Sequence, residues 1–230
     1  MIIVSQGIFI VFLSLLDGVV FGEETLTNQT SGINSALLDW KVPERIKSKF
    51  PYYLSGTDYE GKPVLVIQWG RWDTRYIAEK GGSDLEALEK GVDQFVERVN
   101  TGYFAVKLNS TETEDEDELV MILDFDGFRL RQFNSPANMK FLLSSFTKLE
   151  RIYQKFAYGF VLNANPLVLQ AINLSKPLAG NFLGRMEIHG TVSSKWKPSI
   201  LKAIPQTQLH PAYGGLNSFR PVSIEGWLSP

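Results

Sequence analysis

Four short strand-like runs, three of them apolar, alternate with segments of helical periodicity, and this alternation constrains the fold more than any other feature of the chain. The runs are VLVIQW (64–69), LVMILDF (119–125), FAYGFVLNA (156–164) and RMEIHG (185–190). Each has the length of a strand, and a continuous apolar run suits a strand buried on both faces. Between the first two lies DLEALEKGVDQFVERV, with Leu85, Leu88, Val92, Phe95, Val96 and Val99 at three- and four-residue spacings. That pattern is an amphipathic helix. Between the next two lies NSPANMKFLLSSFTKLERIY, where Ser135 before Pro136 marks a capped start and Met139, Leu142, Leu143, Phe146 and Leu149 share one side. Strands joined through helices must cross over, so the expected class is α/β: a largely parallel sheet covered by helices. A last helix is read over SSKWKPSILKAI (193–204), and VPERIKSKF reads as a short one. YYLSGTDYEGKP reads as turn chemistry, with Gly56, Asp58 and Gly61 in an exposed connection.

The third crossover is unusual. NPLVLQAINLSKPLAG (165–180) begins with Asn165 as N-cap and Pro166 at the first helical position. Leu167, Val168, Leu169, Ala171, Ile172, Leu174 and Leu178 then spread apolar surface round nearly the whole circumference. A surface helix normally keeps a polar face. Either this helix is buried all round, or one side meets something other than protein.

Composition excludes several chemistries. The 230 residues contain no Cys and two His, His189 and His210, far apart in sequence. Thiolate catalysis, disulfides, Cys-ligated zinc and a multi-His metal site are excluded, and no metal or cofactor is expected. Lys and Arg number 23 against 25 Asp and Glu, so no global charge favours nucleic acid. The acidic run ETEDEDE (112–118) lacks the Gly and ligand spacing of a calcium loop and reads as a solvated connection. No nucleophile elbow, phosphate loop or dinucleotide fingerprint is present. Asp124 and Asp126 in DFDG form the best carboxylate pair, but without a His partner they read as strand-end and turn residues. An enzyme is not expected.

The chain divides into an apolar leader (1–22), a polar lead-in (23–39), a principal domain (40–215) and a short tail (216–230). The leader has the apolar core of a signal peptide, although Asp17 interrupts it and no basic residue precedes it. A secreted or luminal protein is expected, with a cytoplasmic one in peripheral contact with membranes as the alternative. Sequons at Asn28 and Asn109 are expected to be accessible to glycosylation, and that at Asn173, inside the apolar helix, is not.

The order of four segments resembles the CRAL-TRIO lipid-binding family, which includes tocopherol-transfer, retinaldehyde-binding and yeast phosphatidylinositol-transfer proteins. The segments are VPERIKSKFPYYLSGTDYEGKPVLV, LVMILDFDGF, VLNANPLVLQAINLSKPLAGN and KWKPSILKAIPQTQLHPAYGG, covering about residues 40–215. The resemblance implies a sheet flooring a large apolar cavity closed by a mobile gate helix, which falls on 165–180. The function it implies is non-enzymatic binding and transfer of a hydrophobic lipid or isoprenoid-like molecule of unknown identity. A lipid-independent protein-interaction module is the alternative, and a monomer in transient contact with a membrane surface is expected.

Strand alternation puts Leu119, Met121 and Leu123 on one face, and family position turns that face to the cavity. Leu149, Tyr153, Phe160, Val168, Ala171 and Ile172 are expected to complete its walls. Phosphatidylinositol-handling members carry a Tyr-Pro-Glu step after the long helix, and a Thr and a Lys before the strand that follows the gate. Here the matching positions are Tyr153-Gln154-Lys155, then Phe182 and Arg185, which keeps a cation and little else and disfavours phosphatidylinositol as cargo. Lys195, Trp196 and Lys197 set an aromatic between two cations, either a membrane contact or a solvated helix face with one packed Trp. Arg45, Lys47 and Lys49 are further candidates for that contact.

Overall fold

A computed structural model describes residues 34–108 and 118–225. Strands β1 (Tyr52–Thr57) and β2 (Pro63–Ile67) form an antiparallel hairpin. Its turn is built on Asp58, whose Oδ1 accepts from the N–H groups of Glu60 (2.9 Å) and Lys62 (2.8 Å). Strands β3 (Leu119–Asp124), β4 (Phe156–Leu162) and β5 (Met186–Ile188) add to β2 in parallel. A short strand from the tail, β6 (Ser223–Glu225), pairs antiparallel with β1 and completes the order β5-β4-β3-β2-β1-β6.

The crossovers are helical, as the alternation requires. Before the sheet come two single turns, α1 (Ser35–Leu38) and α2 (Glu44–Lys47). Between β2 and β3 lie α3 (Arg75–Lys80), α4 (Gly82–Asn100) and α5 (Tyr103–Lys107). Between β3 and β4 lie α6 (Leu130–Phe133) and α7 (Pro136–Glu150), and α8 (Pro166–Gly184) joins β4 to β5. Helix α9 (Ser193–Ala203) follows β5.

Side-chain alternation divides the core in two. Leu54, Leu65, Ile67, Leu119, Met121 and Leu123 pack with α4, α7 and α8 on one face. Val64, Val66, Val120, Ile122 and Leu162 pack with Trp196 and Ile200 of α9, and with Ile204 just beyond it, on the other. Strand β4 changes parity part-way. Its register passes from Leu119↔Phe156 to Val120↔Tyr158, so one extra residue, Ala157, bulges out. Phe156 therefore belongs to the α7–α8 face while Phe160 belongs to the α9 face.

The end of β2 leads into a single 3₁₀ turn, Trp69–Arg71, which sets Trp69 against the core. Gly70 is required there by close approach, because a Cβ would stand 2.3 Å from the carbonyls of Phe125 and Asp126. Trp69 then stacks between Phe146 (centroids 5.4 Å) and Phe125 (6.1 Å).

Candidate functional site: an aromatic cavity and a broken helix on one face of the sheet

Helix α8 starts as its sequence dictates. Asn165 Oδ1 accepts from the N–H groups of Leu167 and Val168, both at 3.0 Å. Val168, Ile172 and Ser175 are buried against the domain, whereas Leu169 on the outer side is 42% exposed. Pro177 interrupts the helix, since it donates no hydrogen bond and crowds the preceding turn. Two residues later Ala179 leaves helical geometry (φ −144°, ψ 38°), so α8 is two helices meeting at a break. The second piece is capped from α7: Glu150 accepts from Phe182 N–H (2.9 Å), Asn181 N–H (3.2 Å) and Asn181 Nδ2 (2.6 Å).

The first piece packs closely on α7. The space between them, lined by Phe125, Met139, Phe146, Val168, Ala171 and Ile172 among others, holds only about 10 Å³. A much larger cavity, about 480 Å³, lies on the other side of α7, between the segment 38–50, α4 and the ends of β1 and β2. Trp40, Phe50, Tyr52, Trp69, Trp72 and Phe95 form its aromatic wall. Gln94, buried on α4, holds the covering segment in place: Nε2 donates to the carbonyls of Leu37 (2.8 Å), Leu38 (3.2 Å) and Trp40 (2.6 Å). Trp72 Nε1 donates to Pro51 O (3.2 Å), fixing the far end of the same segment.

One end of this cavity is charged. Arg98 Nη1 donates to the Tyr52 hydroxyl (2.8 Å) and to Glu225 Oε2 (2.9 Å), and Lys107 Nζ donates to Glu225 Oε1 (2.6 Å). Burial pushes the Tyr52 phenol well above its ordinary value, so it stays neutral. For Glu225, burial pulls upward, but the Lys107 hydrogen bond and the Arg98 charge outweigh it and hold the carboxyl below its usual range.

The match that decides the family is to the CRAL/TRIO domain, over residues 47–215. The chain belongs to the CRAL/TRIO domain family. Among curated relatives it is 24% identical, over 193 residues, to the phosphatidylinositol/phosphatidylcholine transfer protein SFH7 of Arabidopsis thaliana. The aligned region is 80% of this chain but 33% of that protein, so the chain spans about a third of the relative it matches. Among solved structures, the crystal structure of Sfh5 superposes with a TM-score of 0.48 at 14% identity, covering 80% of this chain and 63% of that one.

In this CRAL/TRIO chain the residues expected to wall a cavity fall in several places. Leu119, Met121, Leu123, Leu149, Val168, Ile172 and Phe182 are buried on the α7–α8 face, with Tyr153 and Ala171 packed at its margin. Of these, Leu149 reaches the large cavity, while Val168, Ala171 and Ile172 line the narrow space under α8. Phe160 is not with them: the bulge at Ala157 turns it to the α9 face, against Tyr158 and His189. Arg185 donates to Phe156 O (2.6 Å) and lies over the Tyr153 ring (5.6 Å), so it closes the foot of α8 onto β4. Trp196 is 3% exposed and packed with Tyr213. Lys195 is exposed and Lys197 half-buried beside it. Asn28 and Asn109 lie outside the described residues, and Asn173 is exposed on α8.

Asp124 is fully engaged in structure. Its Oδ1 accepts from Asp126 N–H (2.9 Å) and Asn163 Nδ2 (2.7 Å), and its Oδ2 from the Tyr213 hydroxyl (2.8 Å). His210 Nδ1 accepts from Ala212 N–H (3.2 Å), and burial holds its pKa down. Among the described residues no cluster of His, Asp and Glu could hold a metal ion, and no helix is long and apolar enough to cross a membrane.

Residues that sequence reasoning passed over form the large cavity. Tyr52, Gln94, Arg98 and Glu225 come from β1, α4 and the tail strand, and only the pairing of β1 with β6 brings Glu225 to Arg98. A buried Gln on the apolar side of α4, next to Phe95, was the one signal available beforehand.

Proposed function

We propose that this protein binds a hydrophobic small molecule or lipid without chemical turnover and transfers it between membranes, with α8 as the moving gate. The reading is carried by the aromatic-walled cavity of about 480 Å³ on the helical face of a CRAL/TRIO chain. That volume and lining are those of a small-molecule site. Each methylene buried there contributes about 0.8 kcal/mol, so affinity needs few polar contacts. The break at Ala179 and the exposed Leu169 support α8 as a gate over the narrow space beneath it, because a helix in two pieces can swing about its break and present apolar surface to a membrane. The large cavity is covered by segment 38–50. The three donors on Asp124 support a role without catalysis. Export through the apolar leader belongs to the same proposal, and N-terminal sequencing of the mature protein tests it.

The function is tested by transfer of a fluorescent apolar lipid between donor and acceptor vesicles. The wild-type chain is expected to accelerate transfer, and Leu169→Asp, an exposed change that leaves the core intact, to slow it at least fivefold with cargo binding retained. Transfer no faster than without protein overturns the proposal.

A further inference from the structure

The charged end of the large cavity selects a kind of cargo. Arg98 is 11% exposed, and both protons of Nη1 are taken by Tyr52 and Glu225. Nε is buried and has no hydrogen-bond partner among the described residues. Nε and Nη2 form the side-on edge of the guanidinium, the fork that takes a carboxylate bidentately. The cluster is also unbalanced. Arg98 and Lys107 together face one carboxylate, Glu225, leaving one positive charge in excess where solvent screening is weak. Elsewhere in the lining Asp39 and Glu44 balance Lys41 and Lys47.

The cavity, about 480 Å³ with an aromatic wall, has room for a long hydrocarbon chain.

We infer that this cavity takes an amphiphile with an anionic head, a long-chain carboxylate, its chain on the wall of Trp40, Phe50, Trp69, Trp72 and Phe95 and its head against Arg98, whose Nε lacks an acceptor. The inference rests on the carrier reading and narrows it.

The test titrates hexadecanoate and hexadecanol into the full chain at neutral pH and follows quenching of tryptophan fluorescence. Both have the same chain, so their ratio isolates the head. The acid is expected to bind at least tenfold more tightly than the alcohol. Arg98→Gln is expected to bring the acid down to the alcohol's affinity while alcohol binding stays within twofold, which also shows that the variant folds. Lys107→Gln, outside the cavity wall, is expected to weaken the acid about threefold and leave the alcohol unchanged. Equal binding of acid and alcohol by the wild type, or a preference that survives both substitutions, overturns the anionic-head inference and leaves the carrier reading standing. A wild-type chain that binds neither overturns both.

Discussion

Glu150, the last residue of α7, accepts a hydrogen bond from the backbone N–H of Phe182 at 2.9 Å, across the break in α8. The short second piece of α8 is thereby tied to α7, while its first piece rests on α7 through apolar contact alone around Val168 and Ile172. The two pieces are held by different forces.

Removing this cap separates the two. Glu150→Ala is expected to cost about 1 kcal/mol, as loss of a helix N-cap does. Amide exchange should accelerate across 180–184 and not across 166–175. Unchanged exchange at Phe182 contradicts the assignment of Glu150 as the cap.

Asp124 offers a sharper contrast between structure and chemistry. Asparagine there turns an amide N–H₂ toward groups that are themselves donors, leaving buried polar groups unpaired. Asp124→Asn is expected to lower stability by about 2–3 kcal/mol in denaturant unfolding. Cargo affinity of the folded fraction should stay within twofold.

Gln94 fastens the segment that covers the large cavity. Gln94→Ala removes every hydrogen bond that fastens Leu37, Leu38 and Trp40 to α4. Exchange across 37–42 should rise by at least tenfold, and cargo should dissociate faster, with the sheet amides unaffected. An unchanged dissociation rate shows that cargo does not leave past this segment.

The same architecture carries a pH dependence. Glu225 is held below the ordinary carboxylate range against the upward pull of burial, by Lys107 and Arg98. Its contribution to stability is therefore complete above the ordinary carboxylate value and is lost as pH falls through the depressed one. In acid, β6 is expected to detach from β1 before the parallel strands open, and its amide exchange reports this. In Glu225→Gln the pairing should be weaker at neutral pH and should lose this acid step.

Much of the architecture is legible in the sequence, because continuous apolar runs and helical periods each admit one dominant reading. The failures are specific. Tyr52–Thr57 reads as turn chemistry, yet it is strand β1. The register shifts between Leu54 and Gly56, and a Cβ at Gly56 would meet the Gln208 side chain, so Ser55-Gly56 marks a bulge where a turn seems written. Phe160 is misplaced by the bulge at Ala157, which no alternation rule announces. For Trp196, set between two lysines, the sequence leaves a membrane contact and a packed Trp both open. It lies four residues before Ile200 and eight before Ile204, and that stripe packs on the sheet. The large cavity is the least legible feature, since Tyr52, Arg98 and Glu225 meet only through long-range pairing.

The central claim is that the protein carries a hydrophobic molecule. The measurement that tests it most directly is mass spectrometry of an organic extract of the natively purified protein. The account predicts one apolar molecule in near-stoichiometric amount, lost in Val92→Asp, whose carboxylate would sit in the wall of the large cavity. A protein that arrives empty, and stays empty after incubation with mixed lipids, contradicts it.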